Sequence, residues 1–529
     1  MKVLVSDSIS QKGIEILKNA GLQVDVKTGL KPEELKKIIG EYDALVIRSA
    51  TKVTADIIDA AQKLKVIGRA GTGVDNVDRV AATKKGIVVM NTPGGNTITT
   101  AEHTIALLFS LARKVPQATA SLKAGKWEKK KFMGIELYNK TLGIIGLGRI
   151  GSEVAKRMQC MGMNVLAYDP FLSDERAEEL GIIKTDLDRI FAESDFITIH
   201  TPLTAETKYL INKKTIAKMK KGVYIINCAR GGIVNEKDLY EAVQSGKVAG
   251  AALDVFEIEP PGEGNPLIKD ERIICTPHLG ASTLEAQENV SVAIAEQIID
   301  FLINGTIRNA VNFPSIPYDQ VSLIRPYLVL LERMGSFASQ ILSKSIKQIQ
   351  IEYLGEIYTL NTQALTAAAL KGVLDPVLGE PVNYVNAPFI AKERGIQVKE
   401  IKGKDAGDYQ SLVRIILISK DEQLSVAGTL LSRKDPRIVQ IDEIFLEVIP
   451  EGNMVFMRNW DRPGVIGNIG TLMGQNNINI GHMHFGRKEP GGMAFSIISV
   501  DTSLTDEIIE KIKKLPNVLE VKPVYIPVH

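Results

Sequence analysis

The tightest constraint on this chain is the run Gly146-Leu147-Gly148-Arg149-Ile150-Gly151, set between the apolar stretch TLGII and the amphipathic stretch SEVAKRMQCMG. In a strand–turn–helix the first glycine permits the tight turn and the second lets the backbone approach a pyrophosphate. The third allows close packing of helix on strand, with phosphates at the positive helix end. Eighteen residues beyond Gly151, Asp169 closes the next apolar run. A carboxylate there accepts hydrogen bonds from adenosine ribose hydroxyls and repels a 2′-phosphate, so the cofactor expected is NAD.

The surrounding pattern is that of a parallel-sheet protein. In the first ninety residues KVLVSD, ALVIRS, KVIGRA and GIVVMN alternate with helix-period stretches such as PEELKKIIG and ADIIDAAQKL. Strands alternating with amphipathic helices build βα units. After a helix at 99–115, a second series supplies six strands: TLGII, NVLAYDP, DFITIHTPLT, GVYIINCARGG, VAGAALDVF and RIICTPHLG. The fold class expected is α/β, with two doubly wound parallel-sheet lobes. The first, a substrate lobe, spans 1–98 plus 285–308, the latter a long helix packing back; the second, a Rossmann NAD-binding domain, spans 99–284. Pro314 and Pro317 mark 309–318 as a linker, since proline ends helices and restricts its neighbour. An α+β intervening domain at 319–446 follows. The order strand–helix–strand–strand–helix–strand over 447–529 predicts a ferredoxin-like βαββαβ unit.

Composition removes other classes. The 529 residues predict three or four domains at about 150 each. With 64 Lys and Arg against 62 Asp and Glu, the net charge of +2 gives no support to a nucleic-acid partner. Three scattered cysteines, Cys160, Cys228 and Cys275, exclude a disulfide framework or a Cys-rich zinc module. The first apolar run meets Asp7 at once, unlike a signal peptide, and no apolar run reaches the ~18 residues that span a bilayer. A soluble, cytoplasmic protein with no membrane partner is expected.

Three residues stand after strands of the second sheet, where open α/β folds bind ligands: Arg230 in NCARGG, Glu259 in DVFEIEPP and His278 in TPHLGAS. Oxidising an alcohol needs a base for the hydroxyl proton as hydride leaves carbon, and histidine titrates nearest neutral pH. A carboxylate beside it orients the ring, and an arginine grips a substrate carboxylate through two parallel hydrogen bonds. His103, on an apolar helix, is read as a satisfied packing residue and Cys228 as a small apolar packer. His482 and His484 have no carboxylate or cysteine partner in sequence, so no metal is expected.

GLGRIG, the strand-end aspartate, HTPLT, NCARGGIV, DVFEIEPP and TPHLGAST stand in the order and spacing of the D-isomer-specific 2-hydroxyacid dehydrogenases. Over its full length the chain resembles the family's long form, with an intervening allosteric-substrate-binding domain and a C-terminal ACT domain. The resemblance implies NAD-dependent oxidation of 3-phosphoglycerate to 3-phosphohydroxypyruvate, the first step of serine synthesis. It assigns Arg230 to the substrate carboxylate, Glu259 to support of the histidine and His278 to acid–base chemistry. Gly146, Gly148, Arg149, Ile150 and Gly151 would hold the pyrophosphate and Asp169 the ribose. Thr201, Cys228, Ala229, Arg230, Asp254, His278 and Gly280 would line the rest of the NAD site. Arg48 and Arg69, at strand ends of the first lobe, are candidates for the substrate phosphate, with Ser49, Thr72 and Asn96 completing the cradle. In the ACT unit Asp461 and Asn479, with Asn459 beside them, match an effector site for L-serine at a symmetric interface of a homo-oligomer, dimer or tetramer. Lys371, Arg394 and Arg433 of the middle domain are left without a role. Alternatives are a glyoxylate/hydroxypyruvate reductase and a non-catalytic nucleotide-sensing corepressor.

Overall fold

A computed structural model describes residues 1–314, 320–342, 344–378 and 381–528. The first lobe is an all-parallel sheet of five strands in the order Gln23–Val26, Lys2–Val5, Ala44–Ile47, Val66–Arg69, Val88–Met90. Four of these are the apolar runs of the sequence. The fifth, Gln23–Val26, is a half-exposed edge strand with no apolar run to announce it. Ala44–Ile47 is buried at every position, as a parallel strand covered on both faces requires. One of the covering helices is Leu284–Asn304, which starts on Thr283 as N-cap and ends on Gly305. It packs so closely that a Cβ on Gly68 would lie 2.7 Å from Ile298 Cδ1. Ser10 N donates to Ser291 Oγ at 3.0 Å, tying the same helix to the start of Gln11–Asn19.

The segment read as a linker from 309 belongs in its first part to this lobe. Val311 N donates to Val89 O at 2.8 Å, Asn91 N donates to Asn309 O, and Ala310 and Phe313 are buried. Backbone pairing with the edge of a sheet overrides the local proline signal. Residues 315–318 lie outside the described residues.

The second lobe has seven parallel strands rather than six, in the order Ile273–Cys275, Val248–Leu253, Val223–Asn227, Phe196–Ile199, Thr141–Ile145, Asn164–Tyr168, Ile183–Lys184. The seventh is two exposed residues long, too short to carry a period. The order places the ends of Thr141–Ile145 and Phe196–Ile199 side by side at the switch point, the crevice where such sheets bind nucleotides.

The C-terminal half begins with Val321–Ile341, a 21-residue helix lying against a six-stranded sheet ordered Gln397–Gly403, Gln348–Gly355, Ser411–Ile418, Gln423–Leu431, Asp435–Ile441, Ile444–Val448. That last strand crosses the expected boundary at 446, because it completes a hairpin with its predecessor. The final unit has the expected βαββαβ order. Its strands Gly452–Trp460, Ile480–Arg487, Met493–Val500 and Val518–Ile526 form one antiparallel sheet, with helices Val465–Gln475 and Asp506–Lys513. A single apolar core runs from one domain into the other. Phe337 meets Phe456 edge-on at 6.2 Å, and Phe456 meets Phe495 at 5.4 Å. Among the described residues no helix is long and apolar enough to cross a membrane.

Because Phe456 is wholly buried in this shared core, Phe456→Ala should cost about 3–5 kcal/mol. Hydrogen exchange followed by mass spectrometry should rise together in Gln348–Gly355 and Met493–Val500; a rise in the second alone would mean that the two cores are separate.

Candidate active site

Between the lobes lies a cavity of about 390 Å³ lined by Arg48, Ser49, Arg69, Asn96, Glu259 and His278 among others. His278 Nδ1 stands 2.8 Å from Glu259 Oε2. Glu259 Oε1 accepts in turn from Phe256 N at 3.1 Å, so the carboxylate is held at both oxygens. A carboxylate can only accept, which makes Nδ1 the protonated nitrogen and leaves Nε2 as the atom for proton exchange. The hydrogen bond that His278 donates to Glu259 raises the His278 pKa above its ordinary 6.5, against burial and the Arg230 charge. Burial pushes Glu259 up, but its bonds to His278 and Phe256 N outweigh this and leave it lowered. His278 also sits at φ +55, a backbone region unusual outside glycine that persists where surroundings impose it.

What imposes it is Asp254, a residue expected to line the NAD site, which is wholly buried. Its oxygens accept from Leu279 N at 2.7 Å, Gly280 N at 2.8 Å and Thr276 Oγ1 at 2.6 Å, and face His103 Nε2 at 3.1 Å. Burial pushes this carboxyl up, yet the hydrogen bonds prevail and hold it below the usual carboxylate range. Asp254 therefore pins the segment that carries His278. His103, read from the sequence as a satisfied packing residue, is satisfied by Asp254 and Thr276. Helical spacing around position 103 is apolar and gave no signal of this; only the fold brings 103 and 254 together.

The substrate-side residues are gathered but differently tied. The Arg48 loop is held by Asp7, whose Oδ2 accepts from Arg48 N at 2.6 Å and Thr51 N at 3.1 Å, and by Asn76, whose Nδ2 donates to Arg48 O at 2.7 Å. Sequence reasoning passed over both residues. Thr72 donates to Asn96 Oδ1 at 2.8 Å, so that pair forms one polar wall. Arg69 is lowered to about 10 by burial and by the nearby charges of Arg230 and Arg48. Its Nε is buried without a partner. Arg230 donates through Nε to Asp75 Oδ2 across the lobes at 3.1 Å, and through Nη1 to its own Ala229 O. Asp75 is largely exposed, so this ion pair costs little to release.

The glycine turn is shaped to receive a nucleotide. Gly146 has φ +93, and a Cβ there would meet His200 O at 2.7 Å; one on Gly151 would fall 2.2 Å from Gly146 O. At Gly148, by contrast, a Cβ would meet nothing within 4 Å, so that face is open toward a ligand. A hollow of about 390 Å³ opens there, lined by Gly148, Arg149 and Ser152 at the start of Arg149–Cys160, with Ile150 one residue into the helix. Asp169 holds the turn by accepting from Leu147 N at 2.9 Å. Thr201 Oγ1 is buried and without a partner. Cys228 and Ala229 are buried beside the strand end, the Cys228 thiol pushed up to about 12 by burial and therefore unreactive. Turn, carboxylate and orphaned hydroxyl fit NAD.

In the last domain the three effector candidates separate. Asn459 is buried, accepting from Ser496 Oγ at 2.7 Å and donating to Trp460 O at 3.0 Å, so its amide is engaged within the sheet. Asp461 accepts from Gly491 N at 3.0 Å and from Arg487. Asn479 donates to Asp501 at 2.7 Å. The rings of His482 and His484 stack at 6.1 Å, and among the described residues no group of three or more His, Cys, Asp or Glu could hold a metal.

A parallel-sheet nucleotide lobe facing a cleft with a His–carboxylate pair and several guanidinium groups defines a nicotinamide-dependent dehydrogenase of small anionic substrates. Comparison with known proteins makes the class specific. Residues 105–280 match the D-isomer specific 2-hydroxyacid dehydrogenase NAD binding domain, 323–442 the D-3-phosphoglycerate dehydrogenase intervening domain and 454–517 the ACT domain. The chain is 49% identical to D-3-phosphoglycerate dehydrogenase of Archaeoglobus fulgidus over 98% of its own length and 99% of the relative's. With the enzyme of that name from Methanocaldococcus jannaschii the identity is 46% over the same shares. Its fold is similar to an NAD-dependent formate dehydrogenase from Staphylococcus aureus solved with NAD, at 30% identity and TM-score 0.53 over 58% of this chain and 98% of that one. The chain belongs to the D-isomer-specific 2-hydroxyacid dehydrogenase family, in the branch of the D-3-phosphoglycerate dehydrogenases. It is an oxidoreductase with NAD as cofactor.

With His278 as the base, oxidation would need its neutral form, and the rate should climb with pH through the raised pKa. Glu259→Gln removes the largest raising contribution. Turnover should fall by at least ~10-fold, and the rising limb of the kcat–pH profile should move to lower pH. An unmoved limb would mean that another group titrates.

Proposed function

We propose that the chain oxidises 3-phosphoglycerate to 3-phosphohydroxypyruvate, reversibly, as the first step of serine synthesis. The observation that carries the reading is the convergence of Arg48, Arg69 and Arg230 around the cleft that holds His278 and Glu259. Three cations gathered so that Arg230 and Arg48, besides burial, lower Arg69 suit a substrate with an anion at each end. The carboxylate binds Arg230 in place of Asp75, and the phosphate binds Arg48 and Arg69, with Ser49 and the Thr72–Asn96 wall completing the contacts. Bound NAD supplies the hydride acceptor. His278 Nε2 takes the hydroxyl proton as hydride leaves the carbon, and Glu259 stabilises the imidazolium that forms. In the reverse direction the same proton returns to the carbonyl oxygen. The open face at Gly148, the Arg149–Ile150 helix start, Asp169 and the Thr201, Cys228, Ala229 wall hold the dinucleotide. Asp254 and Gly280 act as positioning residues for the His278 segment. Residues 1–98 with 285–308 serve as the substrate lobe and 99–284 as the NAD lobe, working in a reducing, cytoplasmic setting.

The protein works as a homo-oligomer in this reading. Helix Val115–Lys123 buries none of its residues, and Trp127 and Met133 just beyond it are 82% and 75% exposed, an apolar surface suited to a second copy. L-serine is the proposed effector. Asp461 pairs with Arg487 at one end of edge strand Ile480–Arg487, whereas Asn479 precedes its other end. Eight residues of strand separate them by roughly 25 Å, so one chain cannot close both on an amino acid. Antiparallel apposition of two such edges brings Asp461 of one copy to Asn479 of the other.

Followed by NADH absorbance, Arg48→Ala should raise KM for 3-phosphoglycerate at least tenfold more than KM for an unphosphorylated 2-hydroxy acid. Equal effects would favour a glyoxylate or hydroxypyruvate substrate. Serine titrated into the oligomer should release or absorb heat, and Asp461→Ala should abolish it; binding unaffected by that change would remove the interface site.

A further inference from the structure

Where the first lobe, the middle domain and the last strand converge, the fold encloses a second cavity of about 450 Å³ that the dehydrogenase chemistry does not use. One wall is the segment following Leu284–Asn304, with Ile307 and Phe313. The opposite wall is Val321–Ile341 with its neighbour Thr362–Leu374, and Ile526 and Pro527 close the end. The volume lies within the range of small-molecule sites, about 300–1,000 Å³.

The polar groups are arranged to receive an acceptor. Arg325 makes no ion pair or side-chain hydrogen bond among the described residues. Arg333 is only 8% exposed; its Nη1 donates to Glu451 at 2.8 Å, yet its Nε is buried with no partner. Guanidinium groups have donors only, so what they lack is an oxygen from outside. Glu332 does not supply it: it accepts from Lys371 and Tyr384 and makes no bond to Arg325 or Arg333. The lining carries three cations, Arg325, Arg333 and Lys371, against two carboxylates, Glu332 and Asp375. Glu451, behind the lining, pairs with Arg333 and brings the carboxylates to three as well, so the cation left without a partner among the described residues is Arg325, and one such guanidinium matches a monoanion better than a phosphate dianion. Ile307, Phe313, Leu328, Val329 and Ile526 present hydrocarbon to the rest of the space, which an inorganic ion would leave unfilled.

We propose that this junction cavity is a binding site for a small organic carboxylate with an apolar body. Its carboxylate sits on Arg325 and Arg333 and its hydrocarbon lies among Ile307, Phe313, Leu328 and Ile526. The site exists only in the whole chain, since three units build it. It is separate from the catalytic cleft, with which it shares no residue.

Octanoate is a suitable probe, titrated calorimetrically into the full-length protein with NAD present. Saturable binding of one octanoate per chain is expected. Affinity should fall at least tenfold in Arg325→Gln, an exposed change that leaves basal turnover intact, and in Val329→Trp, which fills the cavity. It should be unchanged in Arg48→Gln, which alters only the cleft. The proposal is overturned by absence of saturable binding, by octanoate affinity that survives Arg325→Gln, by affinity lost in Arg48→Gln, or by inorganic phosphate displacing octanoate. Circular dichroism of each variant separates a filled cavity from a lost fold; if Val329→Trp does not fold, Arg325→Gln decides the matter alone.

Discussion

A carboxylate with no exposed surface organises the catalytic side of this protein. Asp254 ends strand Val248–Leu253 and gathers Leu279 N, Gly280 N, Thr276 and His103. Burying a charge is expensive unless it is fully hydrogen-bonded, and here it is. The same bonds hold His278 at positive φ, so that its ring meets Glu259 at 2.8 Å with Nε2 left for chemistry. The acid–base pair is exposed; its precision is borrowed from a buried anchor directly after the strand end.

Across the cleft the problem is reversed, because there like charges are brought together. Arg48, Arg69 and Arg230 repel one another, and Arg69 is partly desolvated as well. Such an arrangement is a cost to the free protein that an anionic substrate relieves, so binding energy is available where the lobes must close. Asp75 holds Arg230 meanwhile, and its exposure makes it a readily displaced placeholder. The first lobe depends in turn on Leu284–Asn304, which joins it after the whole nucleotide lobe has been made.

Much of this was legible in order along the chain. The glycine turn, the aspartate after the next strand, and Arg230, Glu259 and His278 were recognisable because motif chemistry is local: each needs one residue type at one strand end. The edge strands Gln23–Val26 and Ile183–Lys184 were not, since strands this short and this exposed carry no apolar period. Nor was the pairing of residues 309–311 with Val88–Met90, where a sheet edge outweighed nearby prolines. Asn459 looked like a ligand residue by position but is buried on Ser496, a distinction that depends on which face of a strand points inward.

By itself, then, the amino-acid sequence determined the two α/β lobes and the dinucleotide turn and singled out candidate reacting side chains, because alternating apolar periods and glycine spacing are properties of neighbours in the chain. Only the tertiary structure decided what those side chains rest on. His103 with Asp254, Asp75 with Arg230 and Asp7 with the Arg48 loop are contacts between residues 41 to 155 positions apart. Contacts at such separations leave no local pattern, since what brings them together is the closing of sheets and lobes around buried polar groups that must find partners.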